Sequence, residues 1–237
     1  MSAGIELPRR VFAHGFINVK GEKMSKSVGN VIDPIALVDA FGVDQVRYFL
    51  MREVPFGQDG SYSEDAIIGR INADLANEFG NLAQRSLSMV NKNLGGVVPQ
   101  PGELSAEDRE LLGVADELLL KVRVHFDVPA MHLGLEAIWL MLGAANRYFS
   151  RQEPWVLRKS AAPQDQERFR TVLYTTLEAV RVAALLVQPV MPTSAARLLD
   201  LLGQAEDQRA FTAVSTRLAP GTPLPTPSGV YPRYQVD

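Results

Sequence analysis

From Ser63 to Leu94 the apolar residues Ile67, Ile68, Ile71, Leu75, Phe79, Leu82, Leu87, Val90 and Leu94 recur at helical spacing, and Gly95-Gly96 closes the run. That pattern predicts one long amphipathic helix, whose apolar stripe must be buried against other elements. Candidates for those elements follow directly. Ser105 opens a helix to about Phe126 carrying Leu111, Leu112, Leu118, Leu119 and Val122, and a third helix follows Pro129 to about Arg151. A fourth spans about Gln164 to Val187, and a fifth runs from Thr193 to Leu202. Five helices with short connections predict a helical bundle.

The segment before the bundle reads differently. Residues 10–20 alternate apolar and small or polar side chains (Val11, Ala13, Gly15, Ile17, Val19), a strand signal ending at Lys20-Gly21. No second stretch reads as a convincing strand, so its sheet partners are expected outside the chain. Asp33-Pro34 signals a helix start and Gly42 its stop; Asp44 then opens a second short helix over Gln45 to Arg52, broken by the turn residues from Pro55 to Gly60. The expected organisation is therefore 1–62, 63–218 and a tail over 219–237, where Pro220, Pro223, Pro225, Pro227 and Pro232 predict an extended segment.

Composition excludes several functions. The chain has no cysteine, which removes disulfides and thiolate metal sites. No apolar run reaches the ~20 residues of a membrane span, and the start lacks a signal-peptide pattern, so the cytoplasm is the default expectation. A formal charge of −3 gives no global signal for nucleic acid. Any RNA contact has to be local, through bases more than through phosphates.

The chemistry concentrates in Lys23-Met24-Ser25-Lys26-Ser27, between Gly21 and Gly29. Two lysines three residues apart, among small hydroxyl side chains, can set two ammonium groups against one polyphosphate. A solvated basic turn is the commoner fate of such a pair. The longer run from Gly21 to Pro34 is far more specific: it resembles the second signature of the class I aminoacyl-tRNA synthetases. Its flanks, Val11-Phe12-Ala13-His14-Gly15-Phe16 and Gly29-Asn30-Val31-Ile32-Asp33-Pro34, are most similar to the methionyl branch of that family.

The resemblance implies a fold and a reaction. The fold is mainly α: the end of an α/β nucleotide-binding catalytic domain, bearing the lysine loop, followed by an α-helical anticodon-binding bundle. The reaction is ATP-dependent charging of methionine tRNA through methionyl-adenylate, with residues 23–27 binding ATP, Mg2+ implied, and Lys26 and Lys23 meeting charge that builds on the leaving pyrophosphate. Gly21 and Gly29 are placed to serve as hinges. Asn81 and Arg85 share a helix face, and Trp155 follows Pro154 just beyond a helix end, where a large aromatic is held rigid and partly exposed. Alone, a solvated Asn-Arg pair and a core tryptophan are the commoner outcomes; Trp139 is read as such a core residue. By resemblance Asn81, Arg85, Pro154 and Trp155 read the anticodon, Trp155 by stacking on a base.

Other candidates carry less. His125 and His132 are read as structural or surface residues, His14 as a packing residue more than an ATP contact, and Glu64, Asp65 and Asp74 as helix-start and surface acids. No metal site is expected. The family's first signature, His-Ile-Gly-His or a close variant, does not occur in the chain. The resemblance thus covers only the family's C-terminal half, with methionine bound by the other half, and the isolated chain is expected to be inactive in adenylation. Two functions stay open: part of a methionine-tRNA ligase, or a stand-alone tRNA-binding module without chemistry.

Overall fold

The computed structural model describes residues 4–19 and 21–235. Its small sheet is three-stranded, in the order β2-β1-β3. β1 (Ile17–Val19) is central. It pairs antiparallel with β2 (Glu22–Lys23), across a reversal at which Gly21 takes φ +83°. It pairs parallel with β3 (Gly60–Tyr62), Ile17 standing opposite Gly60. The expectation of partners outside the chain is therefore corrected: β2 and β3 lie within it, but they are too short to show an alternation. Parallel strands need a long crossover, supplied here by two helices.

The first crossover helix, α1 (Pro34–Phe41), starts where the Asp33 carboxylate accepts the Ile35 N–H, with Pro34 at the first turn. α2 (Val43–Glu53) begins earlier than the sequence pattern implies, and Asp44 does not cap it. Asp44 is instead buried and accepts the Ser194 N–H at 2.5 Å, at the start of α9 (Pro192–Leu201), where free N–H groups and the helix dipole favour a carboxylate. Arg47 donates to the carbonyls of Val190 and Pro189 at 2.9 and 2.7 Å. α2 is thereby fastened to the bundle by polar groups at a corner.

The long helix forms, but not as one uniform α-helix. Ser63 caps α3 (Glu64–Arg70); a π-helical stretch of ten residues, Ile71–Gly80, follows; α4 (Asn81–Asn93) completes it. The reason lies in the spacing. Ile67, Ile71, Leu75 and Phe79 are each four apart, and in a turn of 3.6 residues each such step rotates the side chain by about 40°. Wider turns with i→i−5 hydrogen bonds rotate such a step the opposite way and so offset the drift, and all four are fully buried.

Against this helix pack α6 (Met131–Gln152) and α8 (Pro163–Val187), with the short α7 (Pro154–Leu157) between them, and α5 (Ala106–Asp127) packs in turn on α6 and α8. α8 is the centre of the bundle: every residue from Thr171 to Val187 is buried. Its buried Glu178 accepts from Arg181 at 2.5 and 2.9 Å, from Arg217 at 3.3 Å and from the Leu218 N–H at 3.1 Å, so the buried charge is paired and hydrogen-bonded. Trp139 is buried beside Tyr48, ring centroids 4.5 Å apart, and its indole N–H donates to the Asp74 carbonyl. Asp74 is not a surface acid: its carboxylate accepts from the Tyr48 hydroxyl at 2.6 Å and from Arg70 at 3.2 Å. Burial and that carboxylate push the Tyr48 hydroxyl well above its ordinary pKa.

The proline-rich tail lies along the body. The Val98 N–H donates to Thr222 and the Leu224 N–H to Gly96, both carbonyls, at 2.9 and 2.8 Å. Farther on, Tyr231 packs on Phe79, and Asn72 exchanges two hydrogen bonds with the Tyr234 backbone, at 2.7 and 2.9 Å.

Candidate functional site

The lysine loop hangs on the edge of the sheet. Asn30, which the sequence reading passed over, closes it: its side-chain oxygen accepts the Ser25 N–H at 2.7 Å and its amide donates to the Lys23 carbonyl at 3.2 Å. The Ser25 and Ser27 hydroxyls are 2.7 Å apart, and the Val28 and Gly29 N–H groups both donate to the Ser25 carbonyl. Gly29 takes φ +74°, a left-handed backbone that favours glycine. The signal for Asn30 was its place after a turn glycine, where Asn side chains commonly bond to nearby backbone. Lys23 holds its ammonium 5.4 Å from the centroid of Phe16, while Lys26 is exposed and makes no ion pair among the described residues.

His14 is exposed, its Nδ1 2.8 Å from the Gly15 carbonyl, so the packing role expected for it is corrected. It lies at the rim of an apolar cavity of about 260 Å³ whose lining includes Ile17, Leu50, Val54 and Phe56.

The second group assembles where α4, α6 and α7 meet. The Asn81 N–H donates to the Ala76 carbonyl, closing the last wide turn, and Asn81 is exposed. One turn on, the Arg85 guanidinium lies 4.9 Å from the centroid of the Phe149 ring and 5.8 Å from that of Trp155. The two rings are 6.2 Å apart and inclined at 55°. Among the described residues Arg85 makes neither a hydrogen bond nor an ion pair, so aromatic faces hold it and its planar set of donors stays unspent.

Trp155 is half-buried and lies just beyond the end of α6, as expected, but inside a further short helix, α7: Gln152 ends α6, Glu153 turns the chain in a left-handed conformation, and buried Pro154 restarts a helix. Structure thus joins Arg85 and Trp155, adds Phe149, and buries Pro154 at the start of α7. Asn146, also unforeseen, donates to the Glu78 carbonyl at 3.1 Å and ties α6 to the wide segment. Burial, together with Asp74, raises the pKa of the Glu78 carboxyl beside it. Among the described residues no group of His, Cys, Asp or Glu is arranged to hold a metal, and no helix is long and apolar enough to cross a membrane.

Comparison with known proteins agrees along the whole length. Residues 1–87 match the family described as tRNA synthetases class I (M), and residues 98–235 match the anticodon binding domain of methionyl tRNA ligase. The methionine-tRNA ligase of Mycobacterium leprae (strain TN) is 74% identical over 235 residues, 99% of this chain but 44% of that protein. The apo methionyl-tRNA synthetase of Mycobacterium tuberculosis superposes with a TM-score of 0.92 at 67% identity, over 100% of this chain and 46% of that one. The same protein in complex with methionyl-adenylate gives 0.94 at 71% identity, over 98% of this chain and 46% of that one. The chain therefore spans less than half the length of the relatives it matches.

Proposed function

The chain belongs to the methionyl-tRNA synthetases of class I, and from that premise we propose that it supplies the lysine loop and the anticodon-reading surface of a methionine-tRNA ligase. The observation that carries the second role is the Arg85 guanidinium, held against the Phe149 and Trp155 rings with its donors free. Such a group can hydrogen-bond one base edge in a fork while the neighbouring indole offers a face for stacking. Exposed Asn81 adds an amide able to donate and accept at once. Pro154 sets the approach of Trp155. The partner is methionine tRNA, read in its unstacked anticodon loop.

In the first role Lys26 meets the charge that builds on pyrophosphate as the methionine carboxylate attacks the α-phosphate of ATP, with Lys23 as its partner once the loop closes. Mg2+ accompanies the ATP phosphates, and methionine is held by the part of the family's catalytic domain that this chain does not span. We divide the chain functionally into 1–62, carrying the loop and connecting helices, 63–218, the anticodon bundle, and the tail 219–237, and place the protein in the cytoplasm.

The test is binding of initiator and elongator methionine tRNAs, and of transcripts with a changed anticodon, to the chain and to Trp155→Ala. Loss of affinity on changing either the anticodon or the tryptophan supports the reading. Equal affinity throughout would leave a chain that does not read the anticodon, and the assignment would fail.

A further inference from the structure

Building on the stacking role proposed for Trp155, we infer that Gln152 and Arg168 are positioning residues for the Trp155 ring, anchoring the last residue of α6 so that the chain can enter α7 in only one direction. The Gln152 side-chain oxygen accepts from Arg168 Nε and Nη2 at 3.1 and 2.8 Å. The same guanidinium forks onto the Asp108 carboxylate at 2.5 and 2.9 Å. Asp108 is fully buried and also accepts from the Tyr148 hydroxyl and from the Ser105 N–H. On its other side the Gln152 amide donates to Glu107. The end of α6 is thus tied to α5 and α8 together.

Between that anchor and Trp155 stand two residues, and the backbone of each is held. Glu153 sits at φ 45°, ψ 53°, a left-handed conformation that a non-glycine residue keeps only where its surroundings impose it. Pro154 has its φ fixed by its ring and is buried. The exit of α7 is fastened as well: the Gln166 amide donates to the Ser160 carbonyl at 2.6 Å and to the Leu157 carbonyl at 3.3 Å. Gln166 and Arg168 both belong to α8, so the buried central helix holds the platform at both ends. The effect of this arrangement passes through the ring of Trp155.

The chain has two tryptophans, so a Trp139→Phe background leaves Trp155 as the sole indole reporter. In that background the inference expects Gln152→Ala to lower the fluorescence anisotropy of Trp155 and to redden its emission. It also expects roughly tenfold weaker binding of a stem-loop RNA carrying the methionine anticodon, with little change for an altered anticodon. Arg168→Lys keeps a charge near Asp108 but cannot fork to both partners, and should behave as Gln152→Ala does. Gln152→Glu combined with Glu107→Gln keeps both an acceptor for Arg168 and a donor between the two positions, and should keep the parent anisotropy. Parent-like anisotropy and emission in both Gln152→Ala and Arg168→Lys overturn the inference. So does altered anisotropy with unchanged binding, provided Trp155→Ala itself binds poorly. If Trp155→Ala binds both RNAs as the parent does, the stacking role fails by itself, and the anisotropy comparison still decides whether Gln152 and Arg168 anchor the ring.

Discussion

Arg85 is oriented by Trp155 and Phe149, not by an acid: its guanidinium carbon stands 5.8 and 4.9 Å from their ring centroids. An arginine paired with a carboxylate would have spent its donors, whereas one laid on π faces keeps them. Trp155→Ala is expected to weaken binding of the anticodon stem-loop by about 1–3 kcal/mol, the usual worth of one stacked base. Arg85→Lys should cost about as much, since an ammonium supplies neither the fork nor the broad contact with the rings. The double variant should cost less than the sum, because the two side chains share one contact. Equilibrium binding of the four proteins at one fixed salt concentration checks this; an Arg85→Lys chain that binds like the parent would sink the role given to the fork.

Lys26 is exposed in a turn closed by Asn30, so the loop is shaped before any phosphate arrives. The isolated chain is expected to give no ATP–pyrophosphate exchange. Joined to the catalytic segment of a relative, it should exchange, and Lys26→Ala should then slow exchange on the order of 10²–10³-fold, as for loss of one donor aimed at transition-state charge. Exchange by the isolated chain, or an unimpaired Lys26→Ala fusion, would refute the assignment.

How far the sequence reached depended on range. The helices of the bundle were legible because Leu111, Leu118 and Val122, and their counterparts elsewhere, repeat at a local period that burial enforces. The wide turns at Ile71–Gly80 were not, since a spacing of four between apolar residues fits an α-helix nearly as well. Strands of two or three residues cannot alternate visibly, which hid β2 and β3. Asn81, Arg85 and Trp155 were singled out through the family resemblance, and the structure brings Arg85 and Trp155 together. Phe149 and Asn30 were missed, one because it reads as core and the other because its work is on backbone atoms. The grip of Asp44 on Ser194 joins residues with no local relation, and a single sequence carries no trace of it.

Asp108 makes stability depend on acid. Burial raises its pKa, but hydrogen bonds from Arg168, Tyr148 and the Ser105 backbone outweigh that and hold the carboxyl below its ordinary value. A depressed carboxyl stabilises the fold fully above its unfolded pKa, about 3.9, and that contribution is lost as pH falls from there through the folded value. Urea unfolding across pH 3–7 should therefore show stability dropping below about pH 4 in the parent. Asp108→Asn should be less stable at pH 7 by about 3–5 kcal/mol, because Arg168 loses the charge opposite it, and its acid dependence should be shallower. Equal acid slopes in the two proteins would contradict the assignment.

Gly15 separates the two functional regions experimentally. A Cβ there would fall 2.0 Å from the Gln58 carbonyl oxygen and 2.6 Å from the Asp59 nitrogen, both backbone atoms that cannot swing away. Gly15→Ala must therefore push the lead into β1 off the turn before β3. The hydrogen bonds that begin their pairing, Phe16 N–H to Asp59 at 2.7 Å and Gly60 N–H to the Phe16 carbonyl at 2.8 Å, go with it. The cost should be about 1–3 kcal/mol, as for other overpacked sites, and it should fall on the sheet alone. Amide exchange should quicken in residues 16–23 and 60–62 while α8 stays protected, because the core around α8 draws nothing from β1. Anticodon stem-loop binding should be unchanged, while exchange activity in the joined protein falls with the displaced lysine loop. Faster exchange spreading into α8, or weakened stem-loop binding, would show that the loop and the anticodon corner are mechanically coupled rather than carried on separable supports.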